Sequence, residues 1–443
     1  MWPERNSSLW ADSANRAKYG ALAENLELDV AIIGGGFSGL WSAFHLITNN
    51  PTLKIAIFEA RHIGFGASGR NGGWVSADYP VSRSTLTKRI GKNATDAIFS
   101  ALKVAITEIG EFAKEFAPGA NFVNGGSIIV ARNLAQATRL KNAEDMDHRW
   151  LNKSELDEKI LIADAIGGVH TQSSAVVNPM ELLTALAKRL AGLGVAIYEN
   201  SPAAIAELGK LLVVSNLVTA DRIINATEAF RAAPREQIPL YSLMVATEPL
   251  PQQFWRDVGN IERATFAEGS HLINYAQRTS DDRLALGGRG ARYPFMSKRS
   301  SLIENSAKTH KALQQMIKRW FPQLNEVRFT HAWGGAIAIT RDWEPYVRWD
   351  NEHGYGELGG YAGDGMTLTY LAGKAMAAEV LDISSDIRNL RFVNRSSRNW
   401  EFEPIRYLAI NALIKLTDLS DFEERVTKKP SRINRIIEPL TLR

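Results

Sequence analysis

The 443-residue chain contains no cysteine. That excludes disulfides, thiolate metal sites, a thiol nucleophile and any cysteinyl attachment of a cofactor. Long apolar runs are missing too, since no stretch reaches the roughly 18 residues of a membrane span. The N-terminal MWPERNSSLWADSANRAKYG has no apolar h-region of a secretory signal. The expectation is a cytoplasmic protein without a membrane span. Histidine is scarce, eight in all, with neither HExxH nor a paired ligand spacing, so no metal is expected. Ser38 and Ser68 stand outside any G-x-S-x-G, which speaks against a serine hydrolase elbow. No Gly-Lys-Ser/Thr follows Gly34, which speaks against a P-loop. A net charge of +4, with no basic domain, does not predict a nucleic-acid partner.

What is present is an ordinary globular composition, 45% apolar and 23% charged, in a chain long enough for two or three domains or two interleaved ones. Leu28 to Ile33 (LDVAII) is a short apolar run ended by Gly34-Gly35-Gly36 and reads as a buried parallel strand. Phe37 to Ile47 has helical character, Pro51 breaks it, and Lys54 to Phe58 is a second strand. This is the βαβ order of a doubly wound sheet. Helices are expected over Asn93–Phe116, Met180–Leu193 and Leu302–Trp320, and an Ala-rich one over Met366–Leu381. Short strands are expected at Val195–Tyr198, Leu211–Val214 and Arg222–Asn225. From Gln237 to Gly288 the texture is antiparallel: Tyr241–Thr247, then His271–Gln277 and Arg283–Gly288 joined by a polar turn. A strand at Val327–Ala332 follows. The charged tail from Glu423 reads as a surface extension, with Tyr407–Leu419 as a further helix and Trp400–Pro404 packing back onto the body. No internal repeat is present.

The chemistry is concentrated in glycine. Gly34-x-Gly36-x-x-Gly39 lies between a strand and a helix, where its glycines allow a tight turn, close backbone approach to a pyrophosphate and close helix packing. Glu59 ends the second strand, 20 residues beyond Gly39, where a carboxylate accepts hydrogen bonds from an adenosine ribose. An acid there speaks against a free 2′-phosphate but does not separate NAD from FAD. Directly after it comes GFGASGRNGGW, Gly64 to Trp74. A second cluster, Gly360 to Gly365, opens the last helix.

These residues carry a resemblance. Gly34–Gly39, Glu59 and Gly66-Ala67-Ser68-Gly69-Arg70-Asn71-Gly72-Gly73 resemble the amine-oxidising flavoproteins of the D-amino acid oxidase, glycine oxidase and sarcosine oxidase superfamily. Within it the pattern is nearest to γ-glutamylputrescine oxidase-like and putative aminophosphonate oxidoreductase members. Asn178-Pro179 before a helix, Ala226-Thr227 at a strand end, Ala332–Gly335 and Gly360-Tyr361-x-Gly363-x-Gly365 extend the match from about Leu28 to Leu381. The resemblance implies an α/β fold with an α+β substrate part: a Rossmann-like FAD-binding domain (28–90, 170–235 and 330–393) interleaved with an antiparallel-sheet substrate domain (91–169 and 236–329). Residues 394–443 form a helical, basic C-terminal extension.

The same resemblance implies FAD bound in extended form. Its adenosine would lie over Glu59, Ala60 and Arg61, and its pyrophosphate over Gly34, Gly36, Phe37, Ser38 and Gly39. Gly66 to Gly73 would run along the ribityl and flavin portion, where glycine leaves no Cβ between backbone and ring. Thr227, Gly335, Gly360, Tyr361, Gly363, Gly365, Met366 and Thr367 would complete the site, the last helix presenting its N-terminus to the flavin N1–C2=O edge. An amine would pass a hydride to flavin N5, and water would hydrolyse the imine. Substrate-side candidates are Tyr241, Tyr275, Arg289, His331, Trp333 and Tyr361, with Arg289 suited to a carboxylate or phosphonate. Without cysteine, and with Trp74 where some relatives place a histidine, noncovalent FAD is expected. The acceptor, O2 or another, stays open, as does oligomeric state. Two alternatives remain: a flavin-binding subunit without catalysis of its own, and a tRNA-modifying flavoprotein of the same fold.

Overall fold

A computed structural model describes residues 8–441 except 144 and 232–234. The last three, inside the expected 170–235 segment, thus lie outside the described residues.

Two eight-stranded sheets organise the chain. In the first, Leu26–Ile33 pairs in parallel with Asn216–Asn225 on one side and Ile55–Phe58 on the other. Ala196–Tyr198 extends it in parallel beyond Ile55–Phe58, and Tyr355–Gly359 does so beyond Asn216–Asn225. Val30 to Ile33 and Ile55 to Phe58 are all buried, as expected of parallel strands covered on both faces. Helices Phe37–Asn49, Lys92–Phe116, Pro179–Gly192 and Gly365–Val380 contribute to one apolar core against this sheet. The second sheet runs, in spatial order, Phe329–Thr340, Gln237–Thr247, Leu284–Gly288, Asn274–Arg278, Thr265–Glu268, Ser127–Ala131, Gly167–Thr171 and Arg149–Asn152. It is antiparallel except where Thr265–Glu268 meets Ser127–Ala131.

Several boundaries differ from the sequence reading. The strand expected to end at Ala332 runs to Thr340 and pairs with Gln237–Thr247 over its whole length, so the second sheet continues past the division drawn at residue 330. Helix Lys92–Phe116, drawn with the substrate part, buries Ile98, Leu102, Ile106 and Ile109 in the core of the first sheet. The single helix expected over Leu302–Trp320 is two, Ser301–Glu304 and Ala307–Trp320. Asn305 and Ser306 leave helical geometry between them, and these are residue types that compete with helix by local hydrogen bonding.

The C-terminal region is also more integral than a surface extension. Helix Ile405–Thr427 carries Glu424 inward, where it is 1% exposed and takes Arg139 (3.0 and 3.2 Å) and His271 (2.9 Å). Asp421 on the same helix accepts the amides of His271 and Leu272 at 2.7 and 2.9 Å. His271, Asp421 and Glu424 come close enough to hold a cation, and the Arg139 guanidinium supplies the positive charge there. Trp400 packs back as expected, its indole N–H donating to the Ile339 carbonyl at 2.9 Å.

Candidate active site

The site begins at the turn after Leu26–Ile33. Gly34 has φ +111°, and a Cβ on it would lie 2.8 Å from the Ala226 carbonyl oxygen; on Gly39 a Cβ would lie 2.1 Å from the Gly34 oxygen. The turn is therefore open only to glycine. Helix Phe37–Asn49 starts there without a side-chain cap from Gly36; the amide of Phe37 donates to Ser68 Oγ at 2.9 Å. The amides of Gly36, Ser38 and Gly39 make no hydrogen bond to other described residues. Free N–H groups at the positive end of a buried helix fit an anion. Glu59 is positioned by its own neighbours: Oε2 accepts the Gly35 amide (2.8 Å) and Oε1 the Arg61 amide (2.9 Å). Ala60 and the Arg61 side chain are exposed beside it.

The loop after Glu59 is held from several directions. Asn71 donates to the Ala67 and Ser68 carbonyls and accepts the Gly73 amide at 2.8 Å. Arg70 donates to the carbonyls of Phe65 (2.9 Å) and Gly334 (2.9 Å) and to Glu304 (3.0 Å). It is an anchor between the loop and the second sheet, with Gly335 against its aliphatic stem. Gly66 faces Phe230. The N-terminal segment clamps the same loop: Ser8 Oγ donates to the Gly69 carbonyl and the Trp10 indole to the Asn71 carbonyl, both at 2.8 Å. Nothing in the sequence pattern signals that clamp.

The two glycine clusters meet. Ser38 Oγ donates to the Tyr361 hydroxyl at 3.0 Å, and burial pushes that phenol above its ordinary range. Thr227 hydrogen-bonds Asn225 Oδ1 through its hydroxyl at 2.6 Å, at the strand end against which Gly34 packs. At the other cluster Gly360 and Gly363 have φ +74° and +109°. Helix Gly365–Val380 starts without a side-chain cap, and the buried Thr367 hydroxyl has no hydrogen-bond partner. An orphaned hydroxyl and uncapped helix starts are the features a bound polar group would satisfy.

Between the loop, the second cluster and the second sheet lies a cavity of about 180 Å³. Ala67, Arg70, Asn71, Gly72, Gly335, Gly363 and Met366 reach it from the expected cofactor set, and Tyr275 and Arg289 from the expected substrate set. The Tyr275 hydroxyl shares a 2.7 Å hydrogen bond with Ser242, and burial pushes it above the usual phenol range. Arg289 is largely buried: Nη2 donates to the Ala362 carbonyl, the guanidinium lies 5.4 Å from the Trp343 ring centre, and Nη1 has no hydrogen-bond partner. Burial pulls its pKa down against the opposing charges of Asp364 and Tyr275. A Cβ on Gly363 would lie 2.7 Å from Arg289 Nη2, so that glycine leaves the guanidinium its path.

Four expected substrate-side residues sit elsewhere, Tyr361 on Ser38 as described and three others. Tyr241 alternates with Ser242 along its strand and turns to the helix-side core, where its hydroxyl accepts the Ser300 amide at 2.9 Å. His331 is buried with Thr330 Oγ1 at 2.8 Å and Asp12 at 3.3 Å, away from the cavity lining. Trp333 is buried and donates to the Arg70 carbonyl at 2.9 Å, so it supports the loop. Ser242, Asn274, Asp78, Ile337 and Asp364 line the cavity instead. Ser242 was visible as a polar residue within an apolar strand. Asp78 and Asn274 carried no such mark.

A sequence model of the DAO family, described as FAD dependent oxidoreductase, matches residues 29–379. The chain belongs to this family. It is accordingly an enzyme, an oxidoreductase that uses FAD. Gamma-glutamylputrescine oxidoreductase of Escherichia coli K12 is 29% identical over 399 residues, spanning 84% of this chain and 88% of the relative. A probable oxidoreductase OrdL of Rhizobium meliloti is 26% identical over 381 residues, 82% of this chain and 85% of the relative. Among solved structures, glycine oxidase from Geobacillus kaustophilus superposes with a TM-score of 0.70 at 21% identity, covering 84% of this chain and 99% of its own. L-Amino acid deaminase from Proteus myxofaciens gives 0.66 at 16% identity, covering 86% and 96%. These two share the fold of this oxidoreductase. Among its described residues no helix is long and apolar enough to cross a membrane.

Proposed function

We propose that this oxidoreductase acts on a primary or secondary amine that also carries an anionic group, such as an amino acid, a polyamine derivative or an aminophosphonate. The observation that carries this reading is Arg289: a largely buried guanidinium on the cavity wall with Nη1 unsatisfied. A buried donor without a partner costs about 1–3 kcal/mol, which a carboxylate or phosphonate oxygen recovers as a charge-assisted hydrogen bond. The amine-named relative supports the substrate class.

The residues present fit FAD: Glu59 would hold the adenosine ribose, the Gly34–Gly39 turn the pyrophosphate, and the Thr367 end of helix Gly365–Val380 the ring. Bound FAD supplies the two-electron acceptor, from which O2 or another oxidant is to take the electrons. The chain's own residues orient the substrate. Arg289 fixes its anionic end. Tyr275, kept protonated by burial, offers or accepts a hydrogen bond through the Ser242 pair and does not serve as a base at neutral pH. Asp78 and Asp364, both on the cavity wall, set the local charge for the amine.

The test compares wild-type and Arg289→Met holoenzyme with amines that do and do not carry a carboxylate. kcat/KM should fall by about 10²-fold for the carboxylated amines, as for a lost charged hydrogen bond of 2–3 kcal/mol. Unsubstituted amines should be nearly unaffected. An equal loss for both sets would refute the assignment.

A further inference from the structure

A second cavity, about 400 Å³, lies between the second sheet, helix Ala307–Trp320 and helix Ile405–Thr427. Its carboxylates are mostly committed. Glu268 is held by Gln136 (3.0 Å), Trp320 (2.8 Å) and Arg132 (3.3 Å); Asp164 pairs with Arg132 (3.1 Å); Asp421 accepts two backbone amides. Arg132 is used up by the same contacts. Three cations on the wall make no hydrogen bond or ion pair among the described residues: Arg319, Lys428, and Arg425, whose guanidinium lies 5.6 Å from the Phe422 ring centre. Only Asp418 offsets them as an uncommitted acid. Burial, with Arg425 and Arg132 nearby, pulls the Arg319 pKa down against the opposing charge of Glu268. Among the described residues Arg289 is the one that borders both this cavity and the first.

We propose that this second cavity is an anion-binding subsite, built in part by helix Ile405–Thr427, that receives a second carboxylate or phosphonate, at the far end of an elongated substrate whose amine and first anionic group lie in the first cavity. Arg319, Arg425 and Lys428 are its binding residues, and Arg289, between the two cavities, holds the first anionic group. The anion site stands on its own geometry; the substrate it belongs to rests on the amine-oxidising reading above.

Adipate and hexanoate, which differ in one terminal carboxylate, serve as probes in calorimetric titrations of the holoenzyme. Wild type should bind adipate at least tenfold more tightly than hexanoate. Arg425→Gln/Lys428→Gln, changes at two exposed positions outside the proposed catalytic cavity, should abolish that preference and leave the flavin spectrum unchanged. Equal binding of the two acids by wild type, or a preference that survives in the variant, overturns the proposal. Anaerobic flavin reduction by racemic 2-aminoadipate and norleucine separates the two readings. If neither amino acid nor any other amine reduces the flavin while adipate preference persists, the anion site stands and the amine assignment falls.

Discussion

Gly72→Ala is the substitution whose cost is most directly readable. A Cβ at Gly72 would lie 2.5 Å from both Cδ2 and Cε2 of Tyr275. Ordinary carbon contact is about 3.5–4.0 Å, so ring and loop must separate by about 1 Å. The ring has little room to give. Its hydroxyl is tied to Ser242 at 2.7 Å, and a Cβ on Gly287, the strand neighbour, would already lie 2.2 Å from it. Overpacking of this kind costs about 1–3 kcal/mol, and loss of the Ser242 hydrogen bond adds about 1 kcal/mol. Because Gly72 and Tyr275 both line the cavity, relieving the strain moves the loop or the ring that shapes it. The expected result is a 30- to 1000-fold weaker FAD Kd, about 2–4 kcal/mol, measured by flavin fluorescence, with slower reduction at saturating FAD. Gly192→Ala is the control: nothing lies within 4 Å of its Cβ position, and it is helical. FAD affinity within twofold of wild type in Gly72→Ala would refute the packing argument.

Other consequences are open to the same tools. Glu59→Gln keeps one acceptor for two backbone amides, so FAD affinity should fall by about tenfold, near 1–2 kcal/mol, in the same titration. Burial pushes the Glu228 carboxyl up to about 7, against the amides of Ala338, Ala229 and Tyr361 that hold it down. Its folded pKa thus exceeds the ordinary 4.5, so its stabilising contribution is full below pH 4.5 and lost as pH rises through 7. The Tm of the holoenzyme should drop between pH 5 and 8, by the equivalent of about 3 kcal/mol, and Glu228→Gln should flatten that slope; parallel slopes would contradict it. Glu424→Ala strips Arg139 and His271 of a buried partner and should cost about 3 kcal/mol. Limited proteolysis should then cleave within 405–441 while the flavin spectrum persists, whereas unchanged resistance would show that the contact does not hold the helix.

The glycine turn and the βαβ unit around it were legible because their physics is local. A strand, a Gly34–Gly39 turn, a helix and Glu59 lie within one βαβ unit, and the turn geometry demands glycine whatever the rest of the chain does. The glycines from Gly66 to Gly73 were also visible, but not all their reasons. Gly72 answers to the Tyr275 ring, a contact 203 positions away that no local pattern encodes. The substrate half depends on which strand face meets the cavity. Tyr241 was named from its strand, but period-two alternation turns it to the helix-side core and brings Ser242 to the cavity. The Trp10 clamp on the Gly69–Asn71 loop and the second cavity under helix Ile405–Thr427 both arise from distant segments folding back onto the body.

The most direct test of the account is anaerobic titration of the FAD-loaded protein with a panel of polyamines, γ-glutamyl amines, N-methyl amino acids, D- and L-amino acids and aminophosphonates. The account predicts that at least one anion-bearing amine bleaches the flavin absorbance stoichiometrically. A protein that takes up no FAD, or whose flavin no amine in the panel reduces, would contradict it.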